Sequence, residues 1–283
     1  MGEAARCAVK MHHVTKTFGK VIANKDINLE LKNGEILALL GENGSGKTTL
    51  MNMLSGIYFP DHGEIYVKGE EVTIRSPKDS FALGIGMIHQ HFKLVDVFSA
   101  MDNVVIGAEG KRIKPKELKE KILELTKKFG LEVEPEKKIY NMSVSEKQTV
   151  EILKVLYRNA DILILDEPTA VLTPQETQKL FAILRRMKEQ GSAIIIITHK
   201  LNEVMEISDR ISVMRQGTYM GTVNKEETTP LDLTKKMIGR EVFLNIDKSY
   251  GKAGEKILEV QDVWVPSQKE SSKIRGMSLH VNE

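Results

Sequence analysis

Residues 41–50 read GENGSGKTTL, and this stretch decides the fold. It fits G-x-x-x-x-G-K-[ST], with Gly41, Gly46, Lys47 and Thr48 in the fixed places. The glycines let the backbone wrap tightly, so its N–H groups face phosphate oxygens, and a helix opening at the loop adds the positive end of its dipole. Lys47 can reach the β- and γ-phosphates of a nucleotide, and Thr48 can ligate Mg2+. A glycine-rich turn that binds nothing is the competing reading. The apolar strand before the loop and the helix after it are the context that separates the two.

Outward from the loop, four short apolar strands are visible: Ile36 to Leu40, Ile85 to Ile88, Ile162 to Leu165 and Ile194 to Thr198. Helical stretches separate several of them, which predicts an α/β fold with a mostly parallel sheet. The segments AVKMHHV, INLELKNG, GEIYVKG and RISVMRQGTYMG alternate apolar and polar residues and read as antiparallel strands joined by Gly and Asn turns. Residues from about Phe92 to Tyr157 are expected to be mainly helical. Within them, Leu118, Ile122 and Leu125 line one helix face, and Gly130 is a fitting C-cap. The Lys/Glu run of that helix reads as a solvated face. Residues 247–256, DKSYGKAGEK, read as a linker.

Two further strand ends carry chemistry. DILILDEPTA ends its strand in Asp166, placed to hold Mg2+ through water, and Glu167 follows, placed to orient or deprotonate an attacking water. The plain alternative is an Asp-Glu-Pro turn. AIIIITH ends in His199, within reach of a γ-phosphate; alone, a His there is more often structural. Ligands bind at the carboxyl ends of parallel strands, so three polar residues at that edge beside a phosphate loop belong together.

Composition sets the frame. The chain has 283 residues, 41% hydrophobic and 28% charged, with net charge +2, so it can bury a sizeable core and carries no strong polyanion-binding field. Cys7 is the one cysteine, so no internal disulfide forms. The start, MGEAARCAVK, lacks the apolar core of a signal peptide, and Arg6 stands where a myristoylation motif wants Ser or Thr. The longest apolar runs are too short to span a bilayer, so service to a membrane is expected to go through a partner.

In this order, the residues resemble an ABC-type ATPase cassette over about Lys10 to Arg240. VTKTFGK resembles the adenine-stacking loop, with Phe18 as the aromatic. Gln90 in MIHQHF matches the Q-loop glutamine, and LILDEPT and ITHK match the Walker B and H-loop segments. The resemblance implies ATP and Mg2+ as ligands, the latter on Thr48, Gln90 and Asp166. It implies nucleotide contacts from Phe18, Gly41, Asn43, Gly44, Ser45, Gly46, Lys47, Thr48 and Thr49, and catalysis by Glu167, His199 and Gln90. It implies a core sheet with an antiparallel β subdomain and a helical subdomain at about 92–157. MSVSEKQTVEIL takes the place of the LSGGQ-like signature, but Val144 and Ser145 stand where the pattern has two glycines. Read from the residues alone, Ser143 and Glu146 are a capping box for a helix, so Ser143, Val144, Ser145 and Glu146 remain either a contact to a nucleotide held by another cassette or a helix start and no more. The D-loop aspartate is replaced by Thr173.

SVSEKQ, PTAVLT and GREV resemble the ATPases of importers for simple sugars such as ribose and galactose, and for nucleosides. That implies membrane permease subunits, an extracytoplasmic substrate-binding protein, no nucleic acid, and a peripheral place at the cytoplasmic face. A related ATPase acting on nucleic acid or ribosomes is the rival; such proteins usually add coiled coils or strongly basic segments, absent here. A non-hydrolysing regulatory binder would not need Glu167 and His199.

The last residues repeat the first. VKMHHV has its counterpart in LEVQDV, and INLELKN in MSLHVNE. The expected organisation is therefore a cassette over 1–246, the linker, and the opening strands of a second cassette over 257–283, the first of two in one chain. A lone cassette of this kind is expected to hydrolyse ATP weakly. The alternative for the repeat is a stray hairpin.

Overall fold

The computed structural model describes residues 7–107, 114–239, 254–265 and 274–282. They form β1 (Cys7–Phe18), β2 (Val21–Lys32), β3 (Ile36–Leu40), α1 (Lys47–Leu54), β4 (His62–Val67), β5 (Glu70–Val72), α2 (Pro77–Ala82) and β6 (Ile85–Ile88). Then come α3 (Ala100–Val105), α4 (Pro115–Phe129), α5 (Val144–Tyr157), β7 (Ile162–Asp166), α6 (Pro174–Glu189), β8 (Ala193–Thr198) and α7 (Leu201–Ile207). The last are β9 (Arg210–Arg215), β10 (Thr218–Asn224), α8 (Pro230–Ile238), β11 (Lys256–Val265) and β12 (Ile274–Asn282). The chain divides into two compact units, Met1–Val242 and Phe243–Glu283. The linker assigned to 247–256 falls mostly outside the described residues, as does the end of GREV.

In the first unit the sheet order is β5-β4-β1-β2-β10-β9-β3-β8-β7-β6. The four expected buried strands are β3, β8, β7 and β6, all parallel. Alternate residues of β3 enter different cores. Leu37 and Leu39 pack with α1 and the antiparallel strands, while Ala38 and Leu40 pack with α7 and α8. In β7, Leu163 and Leu165 face the α5 and α6 side, and Ile162 and Ile164 face the other. Both sheet faces are covered, which is why these strands read as unbroken apolar runs.

One expectation needs correction. RISVMRQGTYMG does form an antiparallel pair, β9 with β10, but β9 also runs parallel to β3, from Leu37↔Arg210 to Leu40↔Val213. It is a fifth core strand. Its alternating look comes from Ser212, fully buried and hydrogen-bonded to the Thr222 hydroxyl. The antiparallel strands β1, β2, β4 and β5 form the other half of the sheet, and a single pair, Thr218↔Lys25, joins the halves.

The region between β6 and β7 holds α3, α4 and α5, as expected. Leu118 and Ile122 of α4 are buried, Leu125 packs against the same core, and Gly130 closes the helix in the left-handed conformation (φ 67°). The second unit is an antiparallel pair, with Leu258↔Val281, Val260↔Leu279 and Val263↔Met277.

Candidate functional site

The phosphate loop lies between the end of β3 and the start of α1. Its conformation needs glycine at two places. At Gly46 φ is 94°, and a Cβ would meet the Ala23 carbonyl oxygen at 2.3 Å and Asn24 Nδ2 at 2.8 Å. At Gly41 a Cβ would meet the Met214 carbonyl oxygen at 2.4 Å. Lys47 opens α1 and folds back into the loop, donating to the carbonyls of Gly41 and Glu42, each at 2.8 Å. Burial pushes its ammonium below the ordinary lysine range, against the pull of Glu167, Asp166 and Glu42.

Parallel register brings the other strand ends to the same edge. Leu40 pairs with Thr198, and Asp166 with Ile197. Thr48 donates its hydroxyl to Asp166 Oδ2 at 3.2 Å. Burial raises the Asp166 carboxyl above its ordinary value, with the Thr48 bond opposing. Glu167 sits at φ 48°, an unfavourable conformation for a non-glycine residue, pinned by its N–H to the Ile197 carbonyl at 3.0 Å. Its Oε1 is 2.8 Å from His199 Nδ1, and its Oε2 is buried with no partner. Burial, then the Lys93 charge, lowers the His89 pKa.

Asn43 through Thr49, Gln90, Asp166, Glu167 and His199 line one cleft of about 680 Å3. Among the described residues no cluster of three His, Cys, Asp or Glu side chains forms a ready metal cage. The donors are instead a hydroxyl, an amide and carboxylates. Such sparse oxygen sets suit Mg2+, which keeps waters and takes substrate phosphates as ligands. The orphaned Glu167 Oε2 is an acceptor aimed at nothing in the protein, so the residues fit the ion and an attacking water.

Phe18 does not line this cleft. It stands 43% exposed at the β1–β2 turn, edge-on to Tyr58 with ring centroids 5.0 Å apart. Val21, Ile22 and Ala23 form the wall there, and Gln216 and Gly217 close another side. The sequence reading missed these, as it missed Asn24, fully buried, whose Nδ2 donates to the Gly46 carbonyl at 3.1 Å. The Gln-Gly pair between two alternating runs was the available signal for the turn; Gly217 donates its N–H to the Ser45 carbonyl at 3.1 Å. Nothing in the local pattern marks Asn24.

Ser143 to Glu146 lie elsewhere, in the first turn of α5. The capping box is formed: Ser143 Oγ accepts from the Glu146 N–H at 3.2 Å, and Glu146 accepts from the Ser143 N–H at 2.7 Å. The Lys137 ammonium holds the Glu146 carboxyl below its usual range. Ser143, Ser145 and Glu146 border a second depression of about 410 Å3 with Gly130, Gln148 and Arg186.

The ABC transporter family profile matches residues 24–170. A nucleoside import ATP-binding protein, NupA of Lactococcus lactis subsp. cremoris, is 47% identical over 98% of this chain and 56% of its own length. A guanosine import ATP-binding protein, NupO of Bacillus subtilis, is 45% identical over 96% of this chain and 54% of its own. The chain thus spans about half the length of these curated relatives. The crystal structure of CbiO1 from Clostridium perfringens, part of the ABC transporter complex CbiONQ, superposes with TM-score 0.71 at 28% identity, covering 83% of this chain and 95% of that one.

Proposed function

The chain belongs to the ABC transporter family of ATP-binding proteins, and on that premise we propose that it binds and hydrolyses ATP to power import of a nucleoside or simple sugar through a membrane permease. The observation that carries the reading is the single cleft in which the phosphate loop, Gln90, Asp166, Glu167 and His199 meet. The loop N–H groups from Asn43 to Thr49 hold the phosphates, and Lys47 exchanges the Gly41 and Glu42 carbonyls for the β- and γ-phosphates. Thr48, Gln90 and Asp166 would hold Mg2+, which when bound would neutralise charge on the phosphate oxygens. Glu167 Oε2 accepts a proton of the attacking water as the water oxygen bonds to the γ-phosphorus and the bond from that phosphorus to the β–γ bridging oxygen breaks, so that ADP leaves. His199, bonded to Oε1, fixes that carboxylate and touches the γ-phosphate. Phe18, exposed at the β1–β2 turn outside the cleft, stacks on an adenine that projects past Val21 and Ile22.

Ser143 to Glu146 contact ATP held by a paired cassette. The repeat of β1 and β2 in β11 and β12 supports a second cassette in the same polypeptide as that partner. Permease subunits and a substrate-binding protein complete the importer, with this protein at the cytoplasmic membrane face. No helix among the described residues is long and apolar enough to cross a membrane. The similarity to two nucleoside-type relatives favours nucleosides over sugars as cargo.

Lys47→Ala tests the cleft. It is expected to weaken Mg-ATP by roughly a hundredfold or more, the scale of losing a buried charge contact, with thermal stability retained. Unchanged affinity by calorimetry refutes the assignment.

A further inference from the structure

Residues 89–98 carry no helix or strand, yet two of them have both backbone N–H and C=O held by side chains. The Lys93 N–H donates to the Glu151 carboxylate, and its carbonyl accepts from Lys154 Nζ at 2.9 Å. Two residues on, the Val95 N–H donates to Asn103 Oδ1 at 2.7 Å, and its carbonyl accepts from Asn103 Nδ2 at 3.1 Å. Alternate residues of an extended segment present their N–H and C=O on one side, as at a sheet edge. Here side chains from α5 and α3 take the place of the missing strand.

The α5 grip is built from charge in a buried place. The Glu151 side chain is 7% exposed and forms an ion pair with Lys154 Nζ at 3.6 Å. A buried carboxylate is unfavourable unless paired and hydrogen-bonded, and an apolar residue would pack there without that penalty. What the pair holds is the chain three residues beyond Gln90. Only His91 and Phe92 lie between the glutamine in the cleft and the clamped peptide, a span of about 10 Å at full extension.

Resting on the reading of Gln90 as a ligand for Mg2+, we propose that Glu151 and Lys154 are positioning residues for Gln90. They anchor its loop to α5, the helix whose first turn is the signature segment, so the place of Gln90 in the cleft depends on the place of that helix.

The test is a double-mutant cycle on this chain. Dissociation constants for Mg-ATP and for metal-free ADP are measured by calorimetry on the unsubstituted chain, Glu151→Ala, Glu151→Gln, Gln90→Ala and the Glu151→Ala/Gln90→Ala pair. Glu151→Ala is expected to weaken Mg-ATP about tenfold and ADP less than about twofold, with nothing further lost when added to Gln90→Ala. Glu151→Gln keeps an acceptor for the Lys93 N–H and is expected to restore most of the affinity. Lys154→Met, which frees the Lys93 carbonyl, is expected to show the same selectivity for Mg-ATP and serves should Glu151→Ala not fold. Equal losses with and without Gln90, or equal losses for ATP and ADP, overturn the proposal and leave the clamp a structural contact. A failure of the unsubstituted chain to bind Mg-ATP at all overturns the functional reading beneath it, and is seen before any variant is made.

Discussion

The hairpin of β1 and β2 and the hairpin of β11 and β12 are the same object in different surroundings. Val9↔Leu31, Met11↔Leu29 and Val14↔Ile27 in the first correspond to Leu258↔Val281, Val260↔Leu279 and Val263↔Met277 in the second. The register shifts of the second, at Lys256/Leu258, Val260/Val263 and Val263/Val265, fall where the first has Cys7/Val9, Met11/Val14 and Val14/Lys16. His13 (φ 52°) and Asp262 (φ 46°) take the left-handed conformation at the bulge, opposite Asp26 (φ 53°) and Gly276 (φ 62°). Even the bond across the bulge repeats: His13 N–H to Asn28 Oδ1 at 3.1 Å, Asp262 N–H to Ser278 Oγ at 3.0 Å. Burial does not repeat. Leu29 is 3% exposed, whereas its counterpart Leu279 is 43% exposed. Register and bulge are thus set within the hairpin, by alternation and turn chemistry. Burial of its apolar face depends on the strands and helices that cover it. A two-stranded hairpin without cover is marginal in water.

The largest expected difference between the two is in stability. Leu29→Ala or Met11→Ala is expected to destabilise the first unit by about 2–5 kcal/mol, the cost of a truncated core side chain. Leu279→Ala or Leu258→Ala, at exposed positions, should change that unfolding transition by less than about 0.5 kcal/mol. Denaturant melts of the four variants decide it, and equal losses would mean that the second face is covered in solution.

Nucleotide should sharpen the contrast at the level of protection. Ala23 and Asn24 of β2 support the phosphate loop, so the first hairpin is linked to the cleft. At a hundred times the dissociation constant, ligand stabilises the state it binds by about 2.7 kcal/mol. Amides of β2 that exchange through opening of the nucleotide-binding state are expected to slow by up to about a hundredfold with Mg-ATP. Amides of β11 and β12 should keep their rates, and slowing of both hairpins alike would break the comparison.

Acid gives the smallest effect. Asp61 accepts from Lys16 Nζ, the Thr17 N–H and the Thr17 hydroxyl at the end of β1, which together hold its pKa down to about 2. A depressed carboxyl stabilises the fold above its unfolded value and loses that contribution as pH falls through the folded one. The window here runs from 3.8 down to about 2. The group is near the surface, so a few tenths of a kcal/mol is the expected size. Val265 and Pro266 stand at the matching places in the second copy and offer neither side-chain donor. Fraying of the first hairpin's tip on acidification, followed by NMR, should therefore lack a parallel in the second, and should vanish in Asp61→Asn.

What was legible in the sequence follows a physical line. The phosphate loop and the strands of Leu37 to Leu40 and Ile162 to Leu165 were readable because glycine spacing and two-sided burial leave local marks. The repeat was readable because alternation and length survive without burial. β9 was misplaced because one buried serine made a two-sided strand look one-sided. Asn24, Asn103 and Glu151 were missed because each is polar in a place where helical or strand period predicts nothing special, and its partner lies on another element. Phe18 illustrates the reverse: its motif is local, but its distance from the cleft wall is set by how β1 and β2 turn.

The single pair Thr218↔Lys25 has a mechanical meaning. Within each half of the sheet, adjacent strands are fastened by ladders of several pairs; between the halves there is one. That pair is made in part by the Lys25 N–H to the Gly217 carbonyl at 2.7 Å, and stitches beside it are the Gly217 N–H to the Ser45 carbonyl at 3.1 Å and Asn24 Nδ2 to the Gly46 carbonyl at 3.1 Å. The cleft opens across it, with Ile22 and Ala23 on one bank and Lys47 and Asp166 on the other. Under tension the molecule has a tear line, and a nucleotide seated in the cleft as proposed would be a rivet through both plates, holding the sheet where the sheet itself is weakest.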